Sequence, residues 1–245
     1  PPTPQNCEKK IVAPSLRDLL VYDDDDDLFQ PITTPEHFET KRQQIIEGML
    51  QGMGRLPERP LRRSLDDFDI HVVNSQLRGR YTKKTIHFEA AEGEVVHAFL
   101  YEPLDRSADT KRPGIVGMHP TGASGKASFE SWPLCNFPIE LAMLGYVVIV
   151  PDYPDFGDSK PYDFDTDRYD SGTIKGVFNL MSCVDLLQRH PDVDPARIGT
   201  IGHSLGGHNA MFLAAFDDRV KIAVSSCGWT PFEYYETKKG RLKTW

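Results

Sequence analysis

Apolar residues return at two different periods along the chain, and the change of period divides it. Between residues 34 and 54, Phe38, Ile45, Ile46, Met49, Leu50 and Met53 recur at three- and four-residue steps, which is one face of an α-helix. Thr34-Pro35-Glu36 supplies a start, with proline where its missing N–H is harmless and an acid in the first turn. Gly52, Gly54 and Pro57 stop it. From about residue 66 the period shortens. KTIHFEA and EVVHAFLYEP are β-rich runs joined by Ala91-Glu92-Gly93, which predicts a hairpin. Compact apolar runs follow at 112–120 (RPGIVGMHP), 146–154 (YVVIVPDYP), 197–204 (RIGTIGHS) and 219–227 (RVKIAVSSC), the form of strands covered on both faces. Between them the pattern predicts helices over 129–144, over 173–189 and from Leu205 to Phe216. Ile174, Val177, Phe178, Met181, Val184 and Leu187 line one face of the second, and Pro191 stops it. The expected class is α/β, a mostly parallel sheet with helices on both faces and an N-terminal β-hairpin. Residues 1–65 are expected to form an N-terminal arm plus an amphipathic helix, and residues 66–245 the α/β core.

Composition narrows what such a chain does. The net charge is −8 and lysines and arginines are not clustered, which argues against a nucleic-acid partner. No apolar run approaches the roughly 18 residues of a membrane span. The run YDDDDDLF holds five adjacent aspartates, which repel one another and favour solvated chain over a metal site. Cys7, Cys135, Cys183 and Cys227 match no zinc spacing and read as buried or idle thiols. In DFDTDRYDSG (163–172), Asp163, Asp165 and Asp167 alternate like calcium ligands. Arg168 stands where such a loop needs glycine, and Ile174 where it needs glutamate, so a solvated acidic loop is expected. No metal is assigned.

The chemistry concentrates at Gly202-His203-Ser204-Leu205-Gly206, a G-x-S-x-G segment with a strand pattern before it and a helix pattern after it. A tight strand-to-helix turn brings backbone against backbone, and side chains at 202 and 206 would clash. The turn would expose Ser204 at the carboxyl edge of the sheet and at a helix N-terminus, whose free N–H groups favour a developing negative charge. An incidental serine in a glycine-rich turn is the plainer alternative. GMHPTGASG (117–125) ends an earlier strand. Pro120 has no N–H, so Thr121 is the first donor after His119 and Gly122 the next. Leu205, directly after the serine, is the partner donor. Leu205, Thr121 and Gly122 are therefore the expected oxyanion hole, and His119 is expected to shape the loop rather than to act in catalysis.

HPTG, then GYVVIVPDYPDFGDS, then DPARIGTIGHSLGGHNA resemble, in that order, the α/β-hydrolase superfamily, and most of all its dienelactone-hydrolase-like and acetyl-xylan-esterase-like branch. Platelet-activating-factor acetylhydrolases and prolyl-oligopeptidase-type enzymes are similar around the serine. The resemblance covers roughly residues 66–230. It implies the α/β-hydrolase fold, acyl transfer to Ser204, hydrolysis of the acyl-enzyme by water, no cofactor, and a small-molecule or carbohydrate ester as substrate. Dienelactone hydrolases carry cysteine where this chain has Ser204, which points to esterase chemistry here. The implied triad order is serine, acid, histidine.

That order meets a difficulty. His208 is the only histidine after Ser204, and its side chain should leave the helix about one turn on. His203 directly precedes the serine and should be aimed elsewhere. Glu233 offers an acid but no histidine. Only 41 residues follow Ser204, and a further strand–helix unit takes about 30. The expectation is a fragment, with the last strands, the acid and the histidine beyond Trp245. The first residue, Pro1, fits the same expectation, or a removed leader and hence a secreted or periplasmic protein. A serine peptidase is a rival reading, for which the N-terminal arm is too short to hold the usual propeller. A catalytically silent binding protein is another.

Overall fold

The computed structural model describes residues 20–24, 29–104, 111–132 and 135–229. The chain divides after Gly52 into two compact units. In the first, β1 (Val21–Asp23) and β2 (Phe29–Pro31) pair antiparallel, with Tyr22 opposite Gln30. Helix α1 (Pro35–Met53) begins at the expected proline, and the Thr34 hydroxyl accepts the His37 N–H at 3.3 Å. Gln44 of α1 bonds both the N–H and the carbonyl of Asp23, tying helix to hairpin. Most of the aspartate run (residues 25–27) and Cys7 lie outside the described residues.

The second unit holds a seven-stranded sheet in the order β3-β4-β5-β7-β6-β8-β9. Its strands are β3 (His71–Arg78), β4 (Tyr81–Ala91), β5 (Glu94–Pro103), β6 (Arg112–Met118), β7 (Val147–Pro151), β8 (Val193–His203) and β9 (Val220–Ser226). The first three form an antiparallel meander, and β5 meets β7 antiparallel. Strands β7, β6, β8 and β9 run parallel. The expected hairpin is β4–β5, turning at Glu92-Gly93 with Gly93 at φ 72°. Val147 to Val150 are fully buried, as their unbroken apolar run requires of a central strand.

One expected helix is two. Over 129–144 the chain makes α2 (Ser128–Ser131) and α3 (Phe137–Met143). Trp132 precedes a proline and is extended, at φ −117° and ψ 99°, because a proline ring crowds the helical conformation of the residue before it. Pro138 then sits in the first turn of α3, where its missing N–H breaks no bond.

Helix α3 covers one face of the sheet, while α4 (Gly172–Arg189) and α5 (Leu205–Phe216) cover the other. On β6, Pro138 of α3 stands over Gly117 and Leu187 of α4 over Gly114, positions of opposite parity and so on opposite faces. Ser171 caps α4 by accepting the Ile174 N–H at 3.2 Å. This helix is buried over nearly its whole circumference, not on one stripe, so Lys175, Asn179 and Ser182 go inside with Phe178 and Leu187.

At the far end of α4 a buried polar cluster closes the core. His190, which ends the helix, lies 3.0 Å from Glu102 of β5, and Lys84 of β4 pairs with the same carboxylate at 2.5 Å. Burial alone would raise the Glu102 pKa. The hydrogen bonds from His190 and Lys84 outweigh it and hold the carboxyl down at about 2. A depressed carboxylate stabilises the fold above its unfolded pKa, and that contribution is lost as pH falls towards the folded value. We expect the unfolding free energy to fall between about pH 4.5 and pH 2, with about 2–3 kcal/mol of the loss from this group. Urea titrations across that range check it: Glu102→Gln should flatten the acid limb, and an identical limb in both proteins would contradict the assignment.

Candidate active site

Strand β8 ends at His203 and α5 starts at Leu205, so a single residue makes the turn. That residue is Ser204, at φ 56° and ψ −118°. A side-chain-bearing residue held there costs about 1–3 kcal/mol and persists only where its surroundings fix it. The fixing contacts are visible. The Ser204 N–H donates to the Ser226 carbonyl of β9 at 2.8 Å, and the Ser204 carbonyl accepts the His208 N–H of α5 at 3.0 Å. A Cβ on Gly202 would stand 2.2 Å from the Gly206 carbonyl carbon, and one on Gly206 would stand 2.1 Å from the Met118 carbonyl oxygen of β6. Those atoms are backbone and have little room to move. The segment thus packs bare chain on bare chain, and the serine is left partly exposed at the carboxyl ends of β6, β8 and β9.

The loop after β6 abuts this turn through that Met118 contact. Among the described residues, neither the Thr121 nor the Leu205 amide finds an acceptor, and Leu205 is the first residue of α5. Gly122 turns the loop, its carbonyl accepting the Gly125 N–H at 3.0 Å. His119 is fully buried against Tyr153 and Phe156. Its Nδ1 lies 2.8 Å from the Pro120 carbonyl, which needs a proton on Nδ1, and its Nε2 accepts the Tyr153 N–H at 3.4 Å. Burial pushes its pKa down to about 4, so the ring is neutral and both nitrogens are spent on holding the loop.

Two residues that the sequence reading passed over fix the same loop from below. Asp152, at the end of β7, is buried and accepts the Lys126 N–H at 2.7 Å and the Asp158 N–H at 2.9 Å. The buried Lys126 ammonium pairs with Asp152 and, at 2.6 Å, with Asp158. Gly125 and Gly157, at φ 55° and 51°, let the two loops close on that carboxylate, since a Cβ on either would overlap it. The available signal was an acid following a buried strand, with glycines in both neighbouring loops.

No described histidine bonds the Ser204 hydroxyl. His203 Nδ1 lies 3.0 Å from the Ser226 hydroxyl, and its ring meets Trp132 edge-on at 5.7 Å. The His208 ring lies 4.3 Å from Phe212, one turn further along α5, and burial lowers its pKa. Glu233 lies outside the described residues. Beside the Thr121 loop a cavity of about 280 Å³ opens, lined by Thr121, Gly122, Asp155, Phe156, Lys160 and Phe164. The acidic segment beyond it folds on its own carboxylates: Asp163 accepts the Asp165 N–H, and Asp167 accepts the Tyr162 hydroxyl and the Tyr169 N–H. Among the described residues no three metal-ligating side chains gather, and Cys135 and Cys183 are buried while Cys227 is exposed.

Comparison with known proteins bears on the family and the fold. A model of the alpha/beta hydrolase family matches residues 115–242, more than half of the chain. YtaP of Bacillus subtilis (strain 168), named as a hydrolase, is 36% identical over 191 residues, covering 71% of this chain and 60% of that protein. A Saccharomyces cerevisiae protein named as a carboxymethylenebutenolidase is 30% identical over 151 residues, covering 57% of this chain and 53% of that one. The chain therefore spans between half and two thirds of the length of these relatives. The crystal structure of a Bacteroides fragilis protein titled as an acetyl xylan esterase superposes with a TM-score of 0.61 at 15% identity, covering 83% of this chain and 62% of that chain, which is a likeness of fold.

The strain at residue 204 has a measurable consequence. Ser204→Gly relieves the left-handed conformation, whereas Ser204→Ala keeps the Cβ and the strain. Although glycine loses more entropy on folding, the glycine variant should be the more stable of the two by about 1 kcal/mol. Urea unfolding of the pair decides it, and the reverse order would mean that the turn is relaxed.

Proposed function

The chain belongs to the alpha/beta hydrolase family, and on that premise we propose that it carries the nucleophile and the oxyanion hole of a serine carboxylic-ester hydrolase. The observation that carries the reading is Ser204 itself, a strained single-residue turn between β8 and α5 whose following amide is unpaired among the described residues. In this reading the Ser204 hydroxyl oxygen attacks the ester carbonyl and gives up its proton to a base. The carbonyl oxygen becomes an oxyanion and accepts from the Leu205 and Thr121 amides, with the Gly122 amide next in the loop. Collapse expels the alcohol, which takes up the proton, and leaves an acyl-serine. Water then releases the acid and restores the hydroxyl. No step calls for a cofactor. Donors aimed at charge that appears only in the transition state are each worth about 10²–10³ in rate.

The base is given to no described residue. His119, His203 and His208 are each engaged elsewhere. A second reading, a catalytically silent protein that binds esters or their products, would be favoured by a whole protein that holds no acid and no histidine within reach of Ser204. For the esterase reading, short-acyl or sugar-acetyl esters are the proposed substrates. Two observations support them: the fold likeness to a protein titled as an acetyl xylan esterase, and a cavity of about 280 Å³ walled partly by Phe156 and Phe164. Measured on the whole protein with an acetyl ester, Ser204→Ala should lower kcat by about 10⁴–10⁶-fold with an unchanged far-ultraviolet circular dichroism spectrum. Turnover that survives the substitution would remove Ser204 from the mechanism.

A further inference from the structure

The direction of the Thr121 amide is set from the other end of its own peptide. A peptide unit is planar, and in the trans form its N–H and C=O point in opposite directions. The Pro120–Thr121 peptide is trans. Its carbonyl lies 2.8 Å from Nδ1 of the His119 ring, which is fully buried against Tyr153 and Phe156. With the carbonyl turned inward to that ring, the N–H on the opposite side of the plane turns outward, and Thr121 is exposed.

The contacts around the ring secure that one bond. Burial keeps the imidazole neutral, so it has a single proton to give. The Tyr153 N–H donates to Nε2 at 3.4 Å, which leaves the proton on Nδ1, the nitrogen that faces the Pro120 carbonyl. The other tautomer would set two N–H groups against each other at Nε2 and two lone pairs against each other at Nδ1. The Tyr153 hydroxyl in turn donates to the His119 carbonyl at 3.2 Å. That carbonyl lies against Gly206 of the serine turn, where a Cβ would stand 2.9 Å from it. Pro120, whose ring fixes φ near about −65°, joins the two held carbonyls. Both peptide planes beside Pro120 are thus fixed, one by the His119 ring and one by buried Tyr153, whose hydroxyl Asn209 of α5 also faces. A phenyl ring would fill the same space without the cost of burying polar atoms. What the imidazole adds is the bond at Nδ1.

We propose that His119 is a positioning residue: held in its Nδ1-protonated tautomer by the Tyr153 N–H, it sets the plane of the Pro120–Thr121 peptide and so aims the Thr121 N–H at the oxyanion that forms beside Ser204. The inference rests on the esterase reading for the oxyanion, while the orientation stands on the peptide geometry. His119→Phe keeps the aromatic bulk and loses the donor. With the whole protein and an acetyl ester, its kcat should fall about 10–100-fold with KM within about twofold, part of the 10²–10³ that one oxyanion donor is worth. His119→Asn, whose side-chain amide stands near the Nδ1 position and can donate to the same carbonyl, should recover most of that loss. Thr121→Pro has no amide to aim, so in that background His119→Phe should cost less than about threefold more. An equal cost in both backgrounds, which a merely structural role would give, or an unchanged kcat in His119→Phe would overturn the assignment. The orientation is read without turnover from the residual dipolar coupling of the Thr121 N–H, which should change in His119→Phe; an unaltered coupling overturns the inference whatever the activity. In the unaltered protein, ¹⁵N spectra at neutral pH should show the His119 proton on Nδ1, and a proton on Nε2 would overturn it even if no variant folds. A changed coupling in a whole protein that hydrolyses no ester would instead leave the orientation and remove the esterase reading.

Discussion

Three stretches of backbone meet where β8 turns into α5, and their close approach governs what surrounds them. The Met118 carbonyl lies against Gly206, and the Gly206 carbonyl against Gly202, at distances that leave no room for a Cβ. Because the chains touch there, one residue must make the whole turn, and Ser204 takes a conformation that a free serine would leave. The same contact brings the loop after β6 beside the start of α5. Two amides from separate elements, Thr121 and Leu205, unpaired among the described residues, thus lie at one edge of the sheet, and helix N-termini favour negative charge. Strain, exposure and electrostatic bias at residue 204 share a single steric cause.

The buried Lys126–Asp152 pair holds the other side of that loop. Taking two charges out of water costs several kcal/mol per ion, and their attraction offsets this only where the remaining polar atoms are satisfied. They are satisfied here: Asp152 also accepts two backbone amides, and Lys126 also meets Asp158. An apolar pair of equal volume would give comparable stability. It would not bring the 121–127 and 152–158 segments to one carboxylate, and that is the geometric service of the pair. His119, neutral and doubly bonded between Pro120 and Tyr153, adds a third attachment.

What could be read from the sequence follows from which forces leave a period. Strand β7, helix α4 and the β8–α5 turn were legible, because continuous burial or a repeated helical face writes itself into consecutive residues. Strand β3 was not, since HVVNSQLR lies at the sheet edge with most of its side chains exposed, and no buried face imposes alternation. The β1–β2 pair, three residues a side, is too short to carry a period. The helix expected over 129–144 failed at its prolines, a local backbone rule that overrode the apolar pattern. At the site, Gly202, Ser204 and Gly206 were legible because steric demand fixes residue type within five positions. Lys126–Asp152 was not, because those partners stand 26 residues apart and sequence spacing carries no trace of them.

The most direct test of Ser204 as the nucleophile is intact-mass spectrometry of the whole protein after exposure to a fluorophosphonate, with peptide mapping and a Ser204→Ala control. One phosphonyl group on the peptide that holds Ser204, absent from the alanine protein, is the expected result. A folded protein that takes up no label, or a label that persists in Ser204→Ala, would contradict it.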